Sequence, residues 1–258
     1  MQFLKSLKQN YDLVFSMTKA TMKSRYRKTT AGFLWVILNP ILTFAVQAII
    51  FKHILKVNIE NYYLFLLSGV IPWIFLTSTI NMTVSTFVMN RPVLMAFKLD
   101  PRIFILSQAI DNFITFIVSF VALLLLNAQF NIFYGLKIPM FILALLLICI
   151  SVFFISCLLA TLHVFMRDTQ FIVQFGLNLF YFITPIFYPK ELIPEQYQWA
   201  ININPLFILI KPFQSIFWKY NPNLFFTDAL KSVFLMITIG IVTLIYWERK
   251  KDVLYFRI

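Results

Sequence analysis

Asp111 is the residue whose type and position most suggest chemistry in an otherwise apolar stretch. It is the only acid in the run 103–126, and it lies close to Gln108 and Asn112. A carboxylate inside a membrane span is unfavourable, so Asp111 should face protein or water. It could belong to a transport path, or it could form a structural hydrogen bond with a neighbouring helix. The sequence leaves both roles open.

Motifs for nucleotide hydrolysis or nucleophilic catalysis are missing from the sequence. The five glycines never have the spacing of a phosphate-binding loop, which requires G-x-x-x-x-G-K-[ST]. No serine occupies a G-x-S-x-G turn, and His53 and His163 belong to segments predicted at opposite membrane faces. Cys149 and Cys157 share one apolar run, which favours neither a disulfide nor a metal site. We therefore expect a chain that is not an enzyme and has no cofactor of its own.

Aromatic side chains are the second group of residues that could contact a substrate. Most such rings form interfacial belts or fill helix contacts. Some could line a path in which sugar rings slide over aromatic faces, and five lie where such a path is plausible: Trp35, Tyr181, Phe187, Tyr188 and Trp199.

The amino-acid composition indicates whether these side chains lie in a soluble or a membrane protein. Of the 258 residues, 60% are hydrophobic and only 12% are charged, which is too apolar for a soluble domain of this length. The net charge of +12 could suggest nucleic acid, but 31 phenylalanines and long apolar runs favour a basic face against anionic lipid. The sequence predicts an integral membrane protein that does not bind nucleic acid.

Six apolar runs predict six membrane-spanning helices in an all-α membrane protein. Residues 1–30 form an amphipathic segment that should lie along the membrane surface or dock on another subunit. Residues 31–258 form the membrane domain, with spans predicted at 33–51, 62–86, 103–126, 139–164, 171–187 and 229–247. Five prolines divide 188–228 into pieces too short to cross, which predicts short re-entrant or interfacial helices there.

The basic residues predict the orientation of these spans. With six crossings both termini lie on one side, and that side holds fifteen of the 22 lysines and arginines. Basic residues are retained in the cytoplasm, so both termini are predicted to be cytoplasmic.

Several short motifs follow one another along the chain: Arg25-Tyr26-Arg27, Gly32-Phe33-Leu34-Trp35, Asn39-Pro40, Gly69 to Trp73, Phe165 to Asp168, Thr184-Pro185-Ile186, Tyr188-Pro189 and Asn204-Pro205-Leu206. In this order they resemble one known family, the permease subunits of bacterial polysaccharide-exporting ABC transporters. The resemblance covers nearly the whole chain.

The resemblance implies a homodimer with two copies of a separate ATPase subunit that binds ATP and magnesium. It implies export of a polysaccharide carried on undecaprenyl pyrophosphate, with O-antigen favoured over teichoic acid and capsule. It also implies that the N-terminal helix and the loop 90–102 contact the ATPase. The residues concerned in that loop are Arg91, Phe97, Lys98, Asp100 and Arg102, and a second cytoplasmic loop carries Arg167 and Asp168. The short helices within 188–218 would be an external gate.

A lipid pyrophosphate requires cations where the first span enters the membrane. Arg25, Arg27 and Lys28 lie there, and the arginine fork matches phosphate oxygens. The same residues could serve only to orient the first span. The main alternative function for the whole chain is an ion-coupled carrier of a small solute, and a membrane scaffold without transport is the next.

Overall fold

Helices make up the architecture of this chain. The computed structural model describes residues 2–25, 27, 29–97, 99–126 and 137–257, and all regular elements in these ranges are helical. In order they are α1 Gln2–Arg25, α2 Trp35–Ala48, α3 Tyr62–Thr83, α4 Thr86–Met89, α5 Arg91–Phe97, α6 Arg102–Leu126, α7 Lys137–Phe165, α8 Thr169–Ile183, α9 Gln198–Ile203, α10 Pro205–Phe217 and α11 Pro222–Arg257. A π-helical segment, Ile49–Ile54, extends α2.

Five stretches of the described chain are long and apolar enough to cross a membrane. They are Trp35–Ile54, Tyr62–Thr83, Arg102–Ala122, Lys137–Phe165 and Pro222–Leu254. Each coincides with a predicted span, which confirms the all-helical membrane fold. The last helix is longer than predicted, because α11 begins at Pro222 and includes the charged residues after Trp247.

The predicted span at 171–187 is a shorter helix than expected. The apolar helix α8 has 15 residues, which at 1.5 Å per residue gives about 22 Å, against the roughly 30 Å of a hydrocarbon core. It ends at Ile183 because Pro185 disfavours helical geometry at Thr184, which is extended with φ −78° and ψ 126°.

A bent pair of short helices lies between α8 and α11, as the prolines predicted. The segments Glu195–Ile203 and Pro205–Phe217 meet at an angle of 96°. Asn204 forms this elbow: its Oδ1 accepts hydrogen bonds from the backbone N–H groups of Leu206 and Phe207, at 3.0 and 3.3 Å. Pro205 takes the first helical position, where the missing N–H is not needed.

Helix α3 is at the centre of the molecule. It packs against α6, α7 and α10, with α2 on a further side, and its side chains include most of the largest fully buried ones. Stacked and edge-on phenylalanine rings join α6, α7 and α10 beside it. By contrast α2 and α11 are exposed along most of their length, as expected of helices that face lipid or a second chain.

Contacts between distant segments define two ends of the helix bundle. At one end, the Arg102 guanidinium lies 5.0 Å from the Trp247 ring centre, and Lys250 Nζ lies 5.1 Å from that of Phe165. We call this the arginine end. At the other, Trp218 Nε1 donates to Glu60 O at 2.9 Å. We call this the lysine end.

Candidate functional site

A polar cleft opens among α2, α3 and α6, beside the C-terminal end of α1. Its volume is about 630 Å³. Three carboxamides, those of Asn39, Asn81 and Asn112, line it together with the rings of Trp35 and Phe75. Amides that can both donate and accept hydrogen bonds, set beside flat apolar rings, are a combination suited to hydroxyl-rich rings such as sugars.

An ion pair lies in this cleft. Arg25 Nη2, at the end of α1, is 2.5 Å from Asp111 Oδ2 on α6, and it also donates to Asn112 Oδ1 at 3.2 Å. The Asp111 side chain is fully buried, whereas that of Arg25 is 24% exposed. The pair therefore ties the N-terminal helix to a membrane-spanning helix, which favours the structural role of Asp111.

The predicted basic cluster is divided by this pairing. Arg25 is engaged with Asp111, whereas Arg27 is exposed in the turn after α1. Lys28 lies outside the described residues. Sequence reasoning placed Arg25 and Asp111 in separate sites, because 86 positions separate them and no local pattern connects them.

A polar stripe runs along α2 from this cleft. It consists of Asn39, Thr43 and Gln47, which are four residues apart and so share one helix face. Asn39 is exposed in the cleft, and Gln47 Nε2 donates to Tyr181 Oη on α8 at 2.9 Å. Sequence analysis overlooked this stripe, although its spacing was a usable signal.

A groove of about 510 Å³ between α2 and α8 continues the stripe toward the lysine end. Thr43 and Gln47 line it with the rings of Tyr181, Phe182 and Phe187. The cleft, the stripe and the groove thus follow one face of the protein from the arginine end toward the lysine end.

The five aromatic residues predicted to line a path do not form one continuous surface. Tyr181 and Phe187 are in contact, with ring centres 4.8 Å apart, but Phe187 is buried. Tyr188 donates its hydroxyl to the carbonyl of Phe182, and burial raises the pKa of the Tyr188 phenol. Trp35 lines the cleft at the other end, and Trp199 is exposed near the elbow.

The predicted ATPase-contact loop forms the short helix α5 and the turn that follows it. Leu94 is fully buried and anchors α5, whereas Phe97 is 70% exposed and Arg91 is also exposed. Asp100 and Arg102 form an ion pair at 2.6 Å on the surface. Lys98 lies outside the described residues.

The second predicted loop is the turn between α7 and α8. Arg167 and Asp168 are exposed there, next to the exposed Met166. Together with Phe97, this turn exposes charged and apolar side chains at the arginine end.

Comparison with known proteins locates this arrangement within a family. Residues 12–218 match the family described as ABC-2 type transporter. The chain is 28% identical over 234 residues to an O-antigen export system permease protein RfbA of Klebsiella pneumoniae, covering 86% of this chain and 89% of that protein.

Two further relatives carry related names. An O-antigen export system permease protein RfbA of Myxococcus xanthus is 27% identical over 221 residues, with 85% of each chain covered. The polysialic acid transport protein KpsM of Escherichia coli is 25% identical over 191 residues, covering 72% of this chain and 73% of that protein. The family match includes the cleft, the stripe, the groove and the elbow.

Proposed function

The chain belongs to the ABC-2 type transporter family, and from this premise we propose that it is the membrane subunit of an ATP-driven polysaccharide exporter. The names of the relatives, two O-antigen permeases and a polysialic acid transport protein, support a polysaccharide substrate. Among the polymers considered, O-antigen is favoured over teichoic acid and capsule.

The observation that carries this proposal is the polar stripe on α2. An exposed carboxamide such as that of Asn39 is costly against lipid tails, because the bilayer core offers it no hydrogen-bond partner. The Asn39 end of the stripe therefore requires water, a polar substrate or another chain. Amides and hydroxyls in a row, with aromatic rings at both ends, suit a hydrated sugar polymer.

The same stripe supports a homodimer. Two copies that face each other through α2 and α8 would enclose both stripes in one polar conduit. Each would also cover the apolar side chains that α8 exposes, such as Phe175 and Phe182. The path would run from the cleft to the groove, with the α9–α10 elbow acting as its gate.

The energy source is proposed to be a separate ATPase subunit, in two copies, that binds ATP and magnesium. Its contact surface is α1, α5 and the turn with Arg167 and Asp168. The exposed Phe97 and Met166 support this assignment, because apolar side chains exposed beside charged groups are typical of interaction sites. Both termini then lie in the cytoplasm, with the chain in the bacterial inner membrane.

The substrate is proposed to enter as an undecaprenyl-pyrophosphate-linked chain at the arginine end. Since Arg25 is paired with Asp111, the cations that remain for the pyrophosphate are Arg27 and Lys28. Arg25 would instead hold α1 in place beside them.

The proposal can be tested by measuring surface polysaccharide in cells from which the gene for this chain has been deleted. Deletion is expected to abolish the surface polymer and to leave lipid-linked polymer inside the cell. The wild-type chain should restore export only with a companion ATPase that hydrolyses ATP. Arg27→Gln should lower restored export severalfold, whereas Arg249→Gln, which replaces an exposed arginine of α11 outside the proposed contact surface, should not.

Unchanged surface polysaccharide in the deletion strain would overturn the proposal. So would uphill transport of a small solute by the purified chain alone under an ion gradient, which is the behaviour of the alternative carrier.

A further inference from the structure

Three lysines from three different elements meet at the lysine end. Lys211 of α10 and Lys231 of α11 line one small crevice, which Asn202 of α9 also lines. Lys190, at the start of the turn Lys190–Leu192, donates from Nζ to Asn202 Oδ1 at 2.7 Å. We call these three residues the lysine cluster.

Acidic groups do not neutralise the cluster. Asp228 lies in the crevice, but it is buried and already engaged: Lys211 Nζ is 3.0 Å from its Oδ1, and Ser215 Oγ donates to its Oδ2 at 2.9 Å. Its charge is thereby balanced by Lys211. Glu191 lies next to Lys190 in the chain, so the three lysines and two acids together leave one net positive charge.

The electrostatics at Lys190 reflect this excess. Burial lowers the pKa of its ammonium group, and the positive charges of Lys211 and Lys231 lower it further. Glu191 and Asp228 act in the opposite direction without reversing the shift. An anion at this position would relieve the repulsion.

The surroundings of the cluster indicate which kind of anion fits. On α11, Lys231 lies among exposed apolar side chains: Phe226 at 57%, Leu230 at 70% and Phe234 at 75%. Asn202 lies three residues after Trp199, which is 64% exposed on the same short helix. Apolar residues beside a tryptophan and lysines are typical of the boundary between lipid tails and headgroups.

We propose that the lysine cluster binds the phosphate group of an anionic phospholipid, with its acyl chains against Phe226, Leu230 and Phe234. Three lysines and two acids, Asp228 and Glu191, leave one net positive charge, which matches the single negative charge of a phosphodiester. The apolar face of α11 gives a lipid a contact that free phosphate lacks. The bound headgroup would join the turn at Lys190, the elbow and α11. This site goes beyond polysaccharide export, and it requires neither the polymer nor the ATPase.

Native mass spectrometry of the purified full chain with added phosphatidylglycerol tests the site. The double variant Lys190→Gln with Lys231→Gln should retain about tenfold less of this lipid than the wild type, because each lysine near an anionic headgroup contributes to binding. Glutamine at position 190 can still donate to Asn202. The matched control is Lys52→Gln with Lys219→Gln, which removes two lysines from the same end outside the cluster, and it should retain the lipid as the wild type does.

Equal loss of lipid in both double variants would overturn the proposal, since binding would then follow net charge alone. Equal retention of phosphatidylcholine and phosphatidylglycerol by the wild type would overturn the preference for an anionic headgroup. Displacement of the lipid by excess inorganic phosphate would identify a site for free anions and overturn the lipid assignment. Because no polysaccharide or ATPase is present, none of these results depends on the proposed export function.

Discussion

Arg25 and Asp111 illustrate how a charge is accommodated at membrane depth. Each would be strongly unfavourable alone in hydrocarbon, and together they form a neutral pair that Asn112 extends with a hydrogen bond. The pair crosses from α1 to α6, next to the hydrogen bond from Thr18 Oγ1 to the carbonyl of Ser107. The N-terminal helix is thus held against the membrane domain by polar contacts.

Removal of one charge from this pair should destabilise the protein. Asp111→Asn leaves the Arg25 cation without its partner, and we expect a loss of about 2 to 3 kcal/mol, below the 3 to 5 typical of fully buried pairs because Arg25 is partly exposed. Thermal unfolding in detergent or nanodiscs measures the change.

Asp100→Asn is the matched control, because its pair with Arg102 is surface-exposed and should contribute about 1 kcal/mol or less. A further Arg25→Gln substitution should return part of the stability lost in Asp111→Asn. Equal stability of the two single aspartate variants would contradict the structural role of the pair.

At the scale of elements, the extended segment after α8 departs from helical geometry among apolar helices. Its backbone is satisfied by side chains: Tyr62 donates to the carbonyl of Phe187, and Gln214 donates to that of Pro185. Gly69 on α3 allows the close approach, since a Cβ there would lie 3.2 Å from the carbonyl oxygen of Ile186. Irregular backbone in a membrane is tolerated only where protein supplies such partners.

The Asn204 cap should determine the position of the elbow. Its side chain caps α10 and donates to Thr184 Oγ1 at 2.8 Å, so Asn204→Ala removes the cap and the link to the extended segment together. We expect a loss of about 1 to 2 kcal/mol and faster tryptic cleavage at Lys190 in detergent.

Asn221→Ala is the matched control, since Asn221 also accepts from a backbone N–H, that of Leu224, but is exposed and distant from the elbow in the chain. Its cleavage at Lys190 should proceed at the wild-type rate. Equal protection of Lys190 in Asn204→Ala and wild type would rule out the proposed role of the cap.

At the scale of the whole molecule, charge is divided between the two ends. All seven arginines belong to segments predicted on the side of the termini, whereas the predicted external segments carry lysines and no arginine. The structure groups these segments by contact: Glu60 meets Trp218, and Lys137 lies 4.8 Å from the Tyr220 ring centre. The sidedness of the two ends follows from the positive-inside rule and stays a prediction.

Labelling of single cysteines in intact cells would establish the sidedness. In a background with Cys149→Ala and Cys157→Ala, a membrane-impermeant maleimide should label Trp199→Cys and leave Arg167→Cys unlabelled. Both positions are exposed, so in cells that express the chain without an ATPase subunit access to the reagent differs only by membrane side. After permeabilisation both should react. Labelling of Arg167→Cys alone in intact cells would reverse the topology.

The sequence by itself determined the membrane class, five of the six predicted spans, the bent helices around Asn204 and the division of charge. These features follow from composition and short-range periodicity. The length of an apolar run determines whether a helix can span the membrane, and prolines determine where helices end. Pro185 also indicated locally that α8 ends early, but the predicted span 171–187 was based on the length of the apolar run and did not take this proline into account. Tertiary structure alone decided that Arg25 pairs with Asp111, that α3 is central, and that Lys190, Lys211 and Lys231 meet. Such contacts join residues far apart in the chain, and their pairing depends on how helices pack in three dimensions.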